Sequence, residues 1–208
     1  MTVLARLGRN ARGGSAAEFA LVLPLLMILM FLAIDGGRLL YNINRMEKAT
    51  QWAARYAVVT DPIPGGLASA DYVGKTIGGV TLTQGDRIPA GALGQIDCTN
   101  STGTVACACT TSPCPALGTI STTAFPNVLA RVRTMVPEAK AANLTVSYKG
   151  SGLGYAGDPN GMQISPLIQV TLTGITWQPL SGFLFKTLTY PTISSSLSAE
   201  DVRGTVSN

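Results

Sequence analysis

From Phe19 to Ile34 the chain reads FALVLPLLMILMFLAI without a charge, and between Gly14 and Ile34 only Glu18 is ionisable. About 20 residues of helix cross ~30 Å of hydrocarbon, so this stretch is long enough to span a bilayer. Arg6, Arg9 and Arg12 precede it with no acidic residue among them. An excess of Arg holds the flanking segment in the cytoplasm and sends the remainder across. The expected organisation is a basic leader at 1–13, a transmembrane helix at 14–34, an amphipathic continuation at 35–60 and an extracytoplasmic domain at 61–208.

Composition narrows the functions this domain can have. The formal charge of +4 falls to +1 once the three leader arginines are set aside. No Lys/Arg cluster remains downstream to form an electrostatic footprint for nucleic acid. Histidine is absent, which removes the commonest general base and the commonest metal ligand. Lys75-Thr76 beside Gly74 mimics the end of a phosphate-binding loop, but the glycine spacing and the strand-to-helix context are wrong. Ser194-Ser195-Ser196 has no histidine or suitable lysine partner and reads as polar surface. No enzyme, catalytic residue, cofactor or metal is expected. A mean hydropathy of +0.30 with 12% charged residues fits a membrane-associated chain better than a cytosolic one.

The leader admits three readings. A cleaved secretory signal has an apolar run of 7–15 residues followed by a small-x-small site, whereas this run is longer and leads into Asp35-Gly36-Gly37-Arg38. An uncleaved signal anchor is the second. The third is a leader removed on the cytoplasmic side, leaving the helix at the new N-terminus. Gly13 suits such a cut, since a residue without Cβ lets a protease approach the extended backbone. Gly14 then becomes the first residue, Glu18 the fifth and Phe19 the sixth. A carboxylate near hydrocarbon is costly when unpaired. Two accounts of Glu18 stand: the Gly14 α-amine of a neighbouring subunit pairs with it, or it sits at the headgroup boundary where the helix dipole favours negative charge.

The stretch GGSAAEFALVLPLLMILMFLAIDGGRLLYNINRMEKATQWAARYAVV resembles the N-terminal signature of TadE-like proteins, pseudopilins of tight-adherence (Tad, or Flp-type) pilus systems. The resemblance rests on Glu18 to Pro24, Asp35 to Arg38, Tyr41, and Ala49 to Ala57, and covers about 45 residues closely. It implies processing by a prepilin peptidase, insertion in the bacterial inner membrane, and a part in assembling a type IV-like pilus with other pilin or pseudopilin subunits and inner-membrane assembly proteins. Phe19 stands where Flp-type sites usually have tyrosine, so one hydroxyl contact is missing. The adjacent Gly13-Gly14 places the cut at either glycine.

Past the apolar run, Leu39, Ile43, Met46, Thr50, Ala53 and Ala57 follow alternating gaps of four and three, one stripe of a helix. With charged residues mostly on the other side, the stripe predicts a stalk about 70 Å long in all at 1.5 Å per residue, packed on the chain's own sheet by default or, on the sharper reading, against a partner helix. Pro24 removes one hydrogen bond, freeing the Ala20 carbonyl, and is expected to bend the apolar helix, either as a kink that lets helices pack along a filament or as an ordinary transmembrane proline. Gly36-Gly37 is a candidate break, and Asp61-Pro62-Ile63-Pro64-Gly65-Gly66 ends the helix. Short strands are expected within YVGKTIGGVTLT, a helix from Phe125 to Val136, and strands at Leu144–Tyr148, Ile164–Trp177 and Leu188–Leu197. The polar tail AEDVRGTVSN closes the chain.

Cys98, Cys107, Cys109 and Cys114 fall in a Thr/Ser/Gly/Pro-rich segment that reads as a loop. Their C-x8-C-x-C-x4-C spacing lacks zinc knuckles, and an extracytoplasmic location favours disulfides. Two bridges are expected, with the pairing that joins Cys107 to Cys109 disfavoured by strain.

The fold class is therefore α+β and pilin-like: a long N-terminal helix on a small antiparallel sheet with a disulfide-bearing segment at 98–114. The expected function is that of a structural minor pilin or pseudopilin supporting pilus biogenesis and surface adhesion, with Gly13, Gly14, Glu18, Phe19 and Pro24 as processing and assembly residues. Membrane lipid and other pilus proteins are its expected partners, without nucleic acid. The alternative is an uncleaved single-pass envelope protein whose outer domain binds a protein or a surface.

Overall fold

A computed structural model describes residues 14–159, 161–182 and 186–199. The leader with Gly13 and the tail from Glu200 onward lie outside the described residues. The chain divides into two compact units, Met1–Tyr41 with Thr176–Leu188, and Asn42–Ile175 with Thr189–Asn208.

Helix α1 spans Gly14–Ala57. It runs through Gly36 and Gly37 without the anticipated break. Each glycine costs up to about 1 kcal/mol in a helix interior, which a long cooperative helix absorbs. A Cβ at either glycine would meet nothing within 4 Å, so neither is required by a close approach. The helix ends where expected: the Thr60 hydroxyl donates to the Tyr56 carbonyl at 3.0 Å, and Asp61-Pro62 cannot continue it.

In the second unit the α1 residues Met46, Ala49, Thr50, Ala53, Ala54 and Ala57 are buried. This is the expected stripe from Met46 onward, widened by Ala49 and Ala54, while Leu39 and Ile43 are only half-buried. Thr50 is tolerated there because its hydroxyl donates back to the Glu47 carbonyl at 2.9 Å, a local bond that satisfies the group without a distant partner. The small side chains allow close packing. Glu47, Thr50 and Gln51 share a shallow cleft with Thr192 to Ser195. The Arg131 guanidinium lies 4.9 Å from the Tyr56 ring centroid, and Arg45 pairs with Glu138.

A short helix α2, Gly65–Ala68, and a hairpin of β1, Thr76–Ile77, with β2, Val80–Thr81, precede the main sheet. That sheet is antiparallel throughout, in the order β4 (Ala106–Thr111), β3 (Gln95–Thr99), β5 (Leu144–Lys149), β6 (Leu167–Leu172) and β9 (Ile193–Ser198). Its register follows period-two burial. Ile96, Tyr148 and Ile168 form one row of partners and Cys98, Val146 and Val170 the next, all buried. Between them, Asp97, Ser147 and Gln169 face the other side. Helix α3, Ala124–Arg133, buries Phe125, Val128, Leu129 and Val132. Its start is held by the Ser121 hydroxyl, which accepts from the Ala124 N–H at 3.1 Å.

Two strand expectations are corrected in detail. Ile164–Trp177 is interrupted at Gly174, whose φ of +67° suits glycine alone, so the chain leaves β6 and resumes as β7, Thr176–Trp177. Leu188–Leu197 is split at Pro191 into β8, Leu188–Thr189, and β9; β7 pairs with β8 in a separate two-stranded ribbon. The segment read as a loop around the cysteines is a hairpin of β3 and β4.

Candidate functional site

The apolar half of α1 is the most distinctive surface. Its best 18-residue window has a mean hydropathy of 2.5 with none of the window buried in the fold, long and apolar enough to cross a membrane. Phe19 is 65% exposed and Leu21 81%, and Leu25, Leu26 and Leu29 are exposed as well. Helices of soluble proteins carry one apolar stripe, whereas one apolar all round is buried in lipid or in other helices. Gly14 opens the described helix and Glu18 lies one turn on, exposed, with no hydrogen bond or ion pair among the described residues. Pro24 sits inside the helix.

Where the apolar run ends, Asp35 is buried at 6% exposure. Its carboxylate accepts from the Leu180 N–H (2.8 Å), the Ser181 N–H (2.8 Å) and the Ser181 hydroxyl (2.7 Å). Two successive amides and a hydroxyl form a cradle for an anion, and bonds to an ionised acceptor are among the stronger ones in proteins. Arg38, one turn further, comes within 3.7 Å of the same carboxylate and places its guanidinium 5.9 Å from the Trp177 ring centroid. All five residues belong to the first unit. Sequence reading placed Asp35 in a family pattern but gave it no role. The only local signal was a carboxylate directly after an apolar run, and its partners lie about 145 positions away.

The cysteines form two disulfides, Cys98–Cys107 and Cys109–Cys114. Cys98 and Cys107 are register partners across β3 and β4 with Cα atoms 4.0 Å apart, so the hairpin itself selects that pairing. In the same unit Tyr148 is buried, and its hydroxyl accepts from the Ile63 N–H at 3.0 Å; burial pushes its pKa up. Tyr72 is also buried, its pKa pushed up to about 12 by desolvation. It lines an open cleft of about 480 Å³ with Lys75, Thr76 and Pro113. Among the described residues no group of three or more His, Cys, Asp or Glu could hold a metal.

A membrane-length helix followed by an antiparallel sheet defines a pilin-like α+β protein. Residues 13–55 match the family model described as TadE-like protein. The likeness to TadE-like proteins thus lies in the N-terminal helix. No curated protein and no solved structure matches the chain. The matched segment holds Gly14, Glu18, Phe19, Pro24 and Asp35, together with the buried alanines as far as Ala54.

Proposed function

We propose that this chain is a structural minor pilin or pseudopilin of a Tad-type pilus, without enzymatic activity, that assembles through Phe19 to Ile34 after removal of its leader. The observation that carries this reading is the exposure of large apolar side chains around the first half of α1, within the TadE-like match. Such a surface requires lipid, neighbouring helices, or first one and then the other. Subunits held in the bilayer pack laterally through this surface, and Glu18, lacking a partner in its own described chain, meets the Gly14 amine of a neighbour. The N-terminus is cytoplasmic, as Arg6, Arg9 and Arg12 direct. The sheet domain lies in the periplasm or on an extracellular pilus, a placement that two disulfides favour. There it supports pilus biogenesis and surface adhesion.

Intact mass of the membrane-extracted protein tests this reading. Cleavage after Gly13 leaves Gly14 as the first residue, and cleavage after Gly14 leaves Ser15. A mass that retains residues 1–13 would instead identify an uncleaved single-pass envelope protein.

A further inference from the structure

We propose that the cleft between the β1–β2 hairpin and the loop closed by the Cys109–Cys114 disulfide binds a carboxylate with a short apolar body, and that Lys75 and the Tyr72 hydroxyl take the carboxylate. This goes beyond the pilus reading and does not depend on it, because every residue concerned belongs to the sheet-bearing unit.

The cleft holds about 480 Å³, within the span of about 300–1,000 Å³ usual for small-ligand sites. Short pieces of chain form its walls. Ile77 and Gly78 come from the hairpin, Gly91 and Ala92 from the single turn Ala90–Ala92 before β3, and Pro113, Cys114 and Pro115 from the loop after β4. The bridge fixes this last wall, joining cysteines five positions apart. A crosslink that short holds the loop locally, and a wall held before the ligand arrives costs less to order on binding.

Tyr72 forms the floor. It lines the cleft at 1% exposure, and its hydroxyl has no hydrogen-bond partner among the described residues. A buried hydroxyl without a partner is costly, so one that persists calls for an explanation. This one has a proton to donate and no acceptor.

Lys75 supplies the charge. Its side chain is exposed, and its ammonium lies 4.7 Å from the centre of the same tyrosine ring. Among the described residues no acid lines the cleft. Asp71, close by in sequence, already accepts from the Val73 N–H at 3.0 Å and from the Gln163 amide at 2.9 Å. An ammonium only donates, so one group with two acceptor oxygens satisfies Lys75 and Tyr72 together. A carboxylate is such a group, and its bonds to a charged donor are among the stronger ones. Lys75 also covers the ring, and turning its flexible side chain toward the ligand opens the way to the hydroxyl. Ile77, Ala92 and the two prolines carry no charge and receive the apolar body.

The test uses the full chain in phospholipid nanodiscs, with empty nanodiscs as the blank and the fluorine relaxation of fluorophenylbutyrate as the readout. Saturable binding above the blank is expected, and the matching amide, which keeps the shape without the charge, should bind about tenfold more weakly. Lys75→Gln should weaken binding by a similar factor. Tyr72→Phe should weaken it about fivefold with stability unchanged or raised, since an unpaired hydroxyl is removed. A Cβ on Gly91 meets nothing within 4 Å, so Gly91→Phe fills the cleft with the fold intact and should abolish binding. A short peptide ending in phenylalanine separates two sources of the carboxylate: tighter binding than fluorophenylbutyrate supports a chain terminus as the ligand, and weaker binding supports a free acid. A signal no greater than the blank, equal affinity for acid and amide, equal competition by inorganic phosphate, or undiminished binding to Gly91→Phe would overturn the inference.

Discussion

Helix α1 has two methionines sixteen residues apart that report opposite surroundings: Met30 is 47% exposed and Met46 1%. Around Met30 the side chains are large and uncovered, Leu25, Leu26, Leu29 and Leu32 among them. Around Met46 they are small and covered, Ala49, Ala53, Ala54 and Ala57. Helix propensity does not separate the two halves, because Leu, Met and Ala are all good helix formers. The difference lies in what each half is built to meet. Alanines bring a backbone close to a fixed partner within the chain, while a girdle of leucines suits a solvent or a partner that is not fixed.

Substituting the two methionines breaks this comparison most directly. Met46→Ala should destabilise the sheet-bearing unit by about 2–4 kcal/mol, the range for emptying a packed core site. Met30→Ala should change the same unfolding transition by less than about 0.5 kcal/mol, as at uncovered positions generally. Urea unfolding of the detergent-solubilised chain, followed by near-ultraviolet circular dichroism, measures both. Equal effects would mean that the halves do not differ in the way described.

The sheet-bearing unit also carries crosslinks. Replacing Cys98 and Cys107 together by serine should cost about 2–3 kcal/mol by the loop-entropy estimate for a ring of this size, read in the same transition. No change there would show that packing alone holds β3 against β4. Tyr148→Phe is expected to cost about 1–2 kcal/mol, since it leaves the Ile63 N–H without its acceptor in a buried place. A value near zero would mean that water or a shifted backbone replaces the bond.

The smallest effect concerns pH. Burial raises the Asp97 carboxyl, but hydrogen bonds from Ser147, Gln95 and Thr110 and the charge of Lys149 outweigh it and hold the pKa below the usual range. A depressed carboxylate contributes stability that is present above its unfolded pKa of about 4 and is lost as pH falls through its lower folded value. With solvent screening this is about 1 kcal/mol or less. Asp97→Asn should therefore flatten the acid side of the stability curve, which thermal midpoints between neutral and acid pH will show. An unchanged slope would remove Asp97 from the acid response.

Much of this was legible in the sequence because it is written locally. The four-three spacing from Leu39 to Ala57, the Pro-rich stop after Asp61, the α3 helix and the alternation of Leu144 to Tyr148 each lie within one element. Strands β3 and β4 were not legible. Ile96 and Cys98 alternate inward, but the Thr, Ser and Gly around them carry the signature of turns, and no local signal outweighs it. Asp35 was hidden for a different reason: its role is defined by Leu180 and Ser181, which only the folded backbone brings within hydrogen-bonding distance. The proposed cleavage at Gly13 and pairing of Glu18 would be events between molecules; Gly13 lies outside the described residues, and Glu18 has no partner among them.

The proposed pairing makes Glu18 the position where the exposed half of α1 becomes an assembly surface, and a count of surface pili on cells carrying Glu18→Ala tests it. The expected result is a protein that still reaches and inserts in the membrane, at normal abundance, with pili lost. Normal piliation with the same abundance would contradict the pairing of Glu18 with a neighbour's amine.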